Sequence, residues 1–157
     1  MSYRSLDELE IYRTAERVAD RCYDLVKDWN AFDRETTGAQ LVRAADSIGA
    51  NIAEGYGRYH YGDRLQFMYY ARGSAYETKY WMRRATRRGL LATEVGPRAE
   101  EVFSALILRL NAFIRDLRTQ RQQSSSAKSV GEMPAGYETE FDMPINYVES
   151  DDPNPIF

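Results

Sequence analysis

Four arginines, Arg83, Arg84, Arg87 and Arg88, fall within six consecutive positions, and Arg43 and Arg58 stand on the segment before them. Guanidinium groups are planar, permanently charged forks that match phosphate oxygens, so such a cluster suits a nucleic-acid backbone. Tyrosines are interleaved with it: Tyr56, Tyr59 and Tyr61 ahead of the cluster, then Tyr69, Tyr70, Tyr76 and Tyr80. Rings of this kind stack on unpaired bases. The same residues have a plainer use. Arginines at a helix end complement its dipole, and tyrosines four apart suit a subunit interface. The candidate nucleic-acid contacts are Arg43, Arg58, Arg83, Arg84, Arg87, Arg88, Tyr59 and Tyr61.

Acid–base chemistry has fewer candidates. Glu54 and Glu77 fall on neighbouring segments, and paired carboxylates can move protons or hold a metal. A di-metal bundle also wants Glu-x-x-His, and the chain has a single histidine, His60, in a glycine- and tyrosine-rich connection. One cysteine, Cys22, rules out an intrachain disulfide and a thiolate cluster. Gly55 and Gly57 imitate half of a dinucleotide fingerprint, but they follow a helical pattern, and no lysine-bearing phosphate loop is present. The sequence therefore calls for no enzyme activity, no cofactor and no metal. Asn51, Glu54 and Glu77 read instead as polar groups that satisfy buried partners and set helix register.

Four helical patterns must position these residues. Ser5 and Glu8 have capping-box spacing ahead of a stripe through Ile11, Ala15, Val18, Cys22, Leu25 and Trp29. A second start is expected at Thr37 with Gln40. Leu41, Ala44, Ala45, Ile48, Ile52 and Ala53 form its inner face, and Gly55 and Gly57 stop it by taking the left-handed conformation. Asp63 and Gln66 open a third helix along Phe67, Ala71, Ser74, Thr78, Trp81 and Ala85, which closes at Gly89. The fourth begins near Pro97 and follows Ala99, Phe103, Leu106, Leu110, Phe113 and Leu117. No period-2 segment intervenes, so the fold class is all-α, an antiparallel up-down-up-down four-helix bundle over residues 1–121.

Beyond Arg121 the composition changes. From Gln122 onward one lysine stands against seven carboxylates, a net of −6, whereas the preceding residues carry 20 cations and 17 carboxylates, a net of +3. Residues 122–157 read as an acidic tail, disordered in isolation or docking on a partner. Tyr137, Phe141, Tyr147 and Phe157 are its candidate docking residues. No apolar run is long enough to span a membrane and no secretory signal precedes the first helix, so a cytoplasmic location without membrane association is expected.

Two motifs carry a resemblance. The string Gln40-Leu41-Val42-Arg43-Ala44-Ala45-Asp46-Ser47-Ile48-Gly49-Ala50-Asn51-Ile52-Ala53-Glu54-Gly55, followed by Gly57-Arg58, resembles the signature of the bacterial proteins named for the 23S rRNA intervening sequence. Ala71-Arg72-Gly73-Ser74-Ala75-Tyr76-Glu77 is similar to that family's second motif. The resemblance covers roughly residues 5 to 120. It implies a four-helix bundle assembled as a homo-oligomer, typically a pentameric ring, with no established catalytic activity and, through the family's name, an association with RNA. It makes Arg43, Asn51, Glu54, Ser74 and Glu77 the motif residues. A related fold serves as the accessory protein of diversity-generating retroelements, a basic pentamer; this chain differs in its mildly basic body and its acidic tail. Two functions follow as expectations. One is an oligomeric bundle that binds RNA or an RNA-handling partner through its Arg/Tyr surface; the other is an adaptor that displays its tail to a protein partner.

Overall fold

A computed structural model describes residues 5–129, with side chains to residue 124. The tail candidates Tyr137, Phe141, Tyr147 and Phe157 lie outside the described residues. Four long helices carry the fold: α1 (Glu10–Val26), α2 (Ala39–Tyr56), α3 (Tyr61–Arg87) and α4 (Val95–Ser129). No strand occurs among the described residues. Gly38 packs on Val26 and Gly49 on Ala15, so α1 and α2 run antiparallel. Arg88 meets Thr37 and Asn51 meets Ser74, so α2 and α3 do too. Contacts from Arg72 to Asn111 and from Lys79 to Ser104 make α4 antiparallel to α3. The result is the expected up-down-up-down order, closed by an ion pair from Arg109 on α4 to Glu10 on α1.

The core lies where the spacing put it. Ile11, Ala15, Val18 and Cys22 of α1 meet Leu41, Ala45, Ile48 and Ile52 of α2, and Phe103, Leu106, Leu110 and Leu117 of α4 complete it. Burial of this much apolar surface, at about 25 cal/mol per Å² removed from water, is the main force holding the bundle. One stripe is rotated. On α3 the buried line is Leu65, Met68, Ala71, Ala75, Thr78, Met82 and Ala85. Phe67, Ser74 and Trp81, expected inside, are half-buried along its edge. Met68, Ala75 and Met82 flank the expected line, and a helix this mixed lets packing choose between adjacent stripes.

Helix ends depart most from the sequence reading. Ser5 makes no side-chain cap; a 3-10 turn, Leu6–Glu8, precedes α1 instead. The second helical segment starts at Ala31 rather than Thr37. Asn30 caps it by accepting from the Asp33 amide at 3.0 Å, and a π turn, Arg34–Gly38, leads into α2. Thr37 is not a cap but a buried residue, 1% exposed. Its pattern misled because a buried hydroxyl and a capping one look alike in sequence. Gly57 ends α2 at φ −73°, so no left-handed turn is used there. Gly55 is glycine for another reason: a Cβ would sit 2.7 Å from the Met68 Cε and 2.9 Å from the Phe67 Cβ. Gly89 does adopt φ +70°. Its amide donates to the Thr86 carbonyl and that of Leu90 to Ala85, the paired bonds of a Schellman cap. Finally, α4 begins two residues before Pro97 and continues through Ser129, past the composition change at Arg121. Once a helix is nucleated, glutamine, serine, alanine and lysine can extend it without an apolar stripe.

Candidate nucleic-acid interface

The arginines divide between the two ends of α3, about 35 Å apart from Tyr61 to Arg84 at 1.5 Å rise per residue. Arg58, Tyr59 and Tyr61 occupy the turn between α2 and α3. Arg58 is bonded to Glu54 one turn back and lies over the Phe67 ring, 4.8 Å from its centroid. Tyr59 is 56% exposed and meets His60 edge-on. Arg64, which the sequence reading did not single out, is buried here. Its Nε donates to the Arg58 carbonyl and its guanidinium lies 5.4 Å from the centre of the Tyr61 ring. Burial pulls the Arg64 pKa down, against smaller opposing effects of Tyr61 and Tyr56. This end uses its arginines to close a turn.

The far end is different. Arg83 forms a fork with Glu100 on α4, and Lys79 joins the same carboxylate at 2.9 Å. The hydrogen bonds from Arg83 hold the Glu100 carboxyl below its usual range, burial opposes them, and Lys79 adds to the lowering. Arg88 donates to the buried Thr37 hydroxyl and so ties the end of α3 to the π turn. The Arg84 and Arg87 side chains make no hydrogen bond or ion pair among the described residues. Tyr76 and Tyr80, 55% and 54% exposed, precede Arg83 and Arg87 on one ridge, at spacings of four, three and four. Two exposed rings, then Arg83 held by Glu100 and Arg87 without a side-chain partner among the described residues, follow one another along a single helix edge.

The motif residues form a third group, on the seam between α2 and α3. Arg43, Ser47, Asn51 and Glu54 line one ridge of α2, which Arg58 in the following turn continues; Phe67, Tyr70, Ser74, Glu77, Trp81 and Arg84 line the facing ridge of α3. Asn51 Nδ2 donates to the Ser47 carbonyl at 2.7 Å and reaches the Ser74 hydroxyl at 3.4 Å. Asn51 thus contacts both its own helix and the facing one. Glu54 and Glu77 were expected to satisfy buried groups, yet both are exposed. Glu54 answers Arg58, and Glu77 accepts from the Trp81 indole at 3.4 Å. The register places Glu54 across from Ala71, six residues from Glu77, about 9 Å along the axis. Among the described residues, no group of three or more His, Cys, Asp or Glu side chains could hold a metal. Cys22 is fully buried, with its thiol pushed up to about 12, chiefly by that burial.

Sequence reasoning missed Lys79, Glu100 and Arg64. Lys79 and Arg83 share an i, i+4 ridge that could have flagged a common partner, but only the packing of α4 reveals Glu100 as that partner.

An antiparallel bundle with a polar, aromatic-lined seam and a cationic end places the chain in the class of helical-bundle proteins. The family described as 23S rRNA-intervening sequence protein matches residues 7–112, and the chain belongs to that family. A crystal structure from Bacteroides thetaiotaomicron VPI-5482, described as a protein with unknown function from the S23 ribosomal protein family, has a similar fold. It superposes with a TM-score of 0.62 at 24% identity, covering 67% of this chain and 95% of that one. No curated protein of known function matches. Among the described residues no helix is long and apolar enough to cross a membrane.

Proposed function

We propose that this chain is a non-enzymatic, cytoplasmic homo-oligomer that binds RNA, or an RNA-handling partner, through the end of α3. The observation that carries the reading is the ridge Tyr76, Tyr80, Arg83, Arg87 with Arg84 beside it. It offers rings for stacking and two cations, Arg84 and Arg87, that no described side chain neutralises. Arg58, Tyr59 and Tyr61 take a lesser part, because Arg58 already answers Glu54 and Tyr59 and Tyr61 lie at the other end, whereas Arg43 on α2 lies level with Met82 and adds to the cationic end.

The aromatic seam supports the oligomeric part. Tyr70, 50% exposed, meets Phe67 edge-on, and Trp81 meets Tyr80 in the same way. A row of such rings framed by Arg43, Glu54 and Glu77 suits a face between copies, where tyrosine and tryptophan are enriched. The pentamer that the family resemblance implies is the expected assembly.

The test is a mass determination by light scattering on the full chain, with and without a short single-stranded RNA, at low and high salt. A ring-sized mass that grows with RNA at low salt and shrinks back at high salt fits the proposal. In the double substitution Arg84→Ala and Arg87→Ala the ring should persist while the salt slope of binding falls by about 1.4, roughly 0.7 per lost phosphate contact on a single strand. A monomer would sink the oligomer; an unchanged slope would sink the surface.

A further inference from the structure

Between the end of α3 and the start of α4 lies a pocket of about 290 Å³ with an apolar floor of Met82, Pro97 and Phe103. Lys79, Arg83 and Arg87 rim it, against the single carboxylate of Glu100. Glu100 is shared by Lys79 and Arg83, which leaves the rim with two positive charges in excess. Its floor is cut by close helix packing: a Cβ on Gly96 would stand 2.8 Å from the Thr86 Oγ1, so only glycine lets α4 start this near α3. An apolar hollow within a cationic rim selects an occupant that pairs one aromatic or aliphatic side chain with flanking carboxylates.

The chain itself carries such an occupant. Residues 130–157 hold seven carboxylates and neither lysine nor arginine, and Tyr147-Val148-Glu149-Ser150-Asp151-Asp152 sets one ring ahead of three of those carboxylates. We propose that residues 147–152 dock on this pocket in their own chain, with Tyr147 on the Met82–Pro97–Phe103 floor and the carboxylates on Arg83 and Arg87. Reach decides which part of the tail can arrive. Glu100 lies about 44 Å back along α4 from Ser129 at 1.5 Å rise per residue. Tyr147 is 18 residues past Ser129. At roughly 3.3 Å per residue those 18 residues extend to about 60 Å, enough to reach without full stretching. Tyr137 and its neighbours, at about 26 Å of chain, fall short. Docking covers Arg83 and Arg87, so tail and nucleic acid exclude one another there; that consequence alone rests on the function proposed above.

Disulfide trapping on the full chain tests the docking, because the buried Cys22 gives no background thiol. One protein carries Thr86→Cys at the pocket with Ser150→Cys; a control carries Gln66→Cys, exposed near the other end of α3, with the same Ser150→Cys. The expected result is an intrachain bridge at the pocket about tenfold more abundant than in the control, since docking raises the effective concentration of the two thiols. That excess should vanish at high salt and in Glu149→Lys/Asp151→Lys/Asp152→Lys. It should return when Arg83→Glu and Arg87→Glu are both added to the reversed tail, because that turns the excess charge of the rim negative. Equal or greater bridging at residue 66 overturns the proposal, and so does a bridge found mainly between two chains, which would assign the pocket to a neighbouring copy's tail. Single-stranded RNA added before oxidation separates the two readings. A lower yield joins tail and RNA to one surface; an unchanged yield leaves the docking standing and removes the RNA site.

Discussion

The two ends of α3 carry the same chemistry in sequence and put it to opposite uses. At the start, Arg64 turns inward onto a backbone carbonyl and the Tyr61 ring, while Arg58, still exposed, is paired with Glu54 and lies over the Phe67 ring. At the finish, Arg83 and Arg88 brace the neighbouring segments while Arg84 and Arg87 are left facing solvent or partly so. A guanidinium that completes a turn has already exchanged its water for protein acceptors, and recruiting it to a phosphate means breaking those bonds. One without such partners has only water to give up. Counting arginines therefore overstates the first end as a binding surface and understates the second.

Substitutions can break or sharpen that contrast, and the largest effect is expected at the turn. Gly55→Val should destabilise the protein by about 2–3 kcal/mol in chemical denaturation, because its side chain must displace Met68 and Phe67. A loss below about 0.5 kcal/mol would mean that the close approach of α2 and α3 relaxes freely. Next comes Arg64→Met, expected to cost about 1–2 kcal/mol by leaving the Arg58 carbonyl without its donor. RNA binding should be unaffected, and a change in the salt slope would place Arg64 in the interface after all.

At the opposite end, Arg88→Ala should cost about 1 kcal/mol through the Thr37 hydroxyl, which loses its partner while buried. Combining it with Thr37→Val should add little to either single change; full additivity would show that the two side chains act separately. The smallest effect belongs to Glu100. Its carboxyl is held below the unfolded value, so its contribution is present above about pH 4.5 and is lost as the pH falls through the lower folded value. The pair is about a third exposed on the Glu100 side and more on the Arg83 side, which limits that contribution to about 1 kcal/mol or less. Melting curves of Glu100→Gln and the parent protein should therefore differ at pH 6 and draw together as the pH falls below 4.5, and a gap that persists in strong acid would point to packing rather than charge.

Helix count, order and most of the core were legible because Ile11, Ala15, Val18 and Cys22, or Leu41, Ala45, Ile48 and Ile52, repeat at a period that no other local structure shares. The starts of the helices were not. Ser5–Glu8 and Thr37–Gln40 both carry capping spacing, yet the chain uses Asn30 and a π turn, because tertiary packing decides which hydroxyl meets solvent and which is buried. The arginine cluster at the end of α3 could be read directly. Its sorting into braced and unbraced members could not, since Glu100 and Thr37 lie far away in sequence and only the fold brings them to Arg83 and Arg88. The motif residues were expected to be structural. Asn51 bonds to Ser47 on its own helix and to Ser74 across the seam, while Glu54 and Glu77 face outward along it.

The length of α4 has a further consequence. Its last apolar core residue is Leu117, yet the helix continues to Ser129, a spur of about 18 Å at 1.5 Å rise per residue. Residues Arg121 to Ser124 on that spur are exposed. Amide protection there should decay residue by residue instead of stepping down at a boundary, because each hydrogen bond opens by fraying and not by global unfolding. Hydrogen exchange should therefore run fastest near Ser129 and slow steadily toward Leu117, where the core begins.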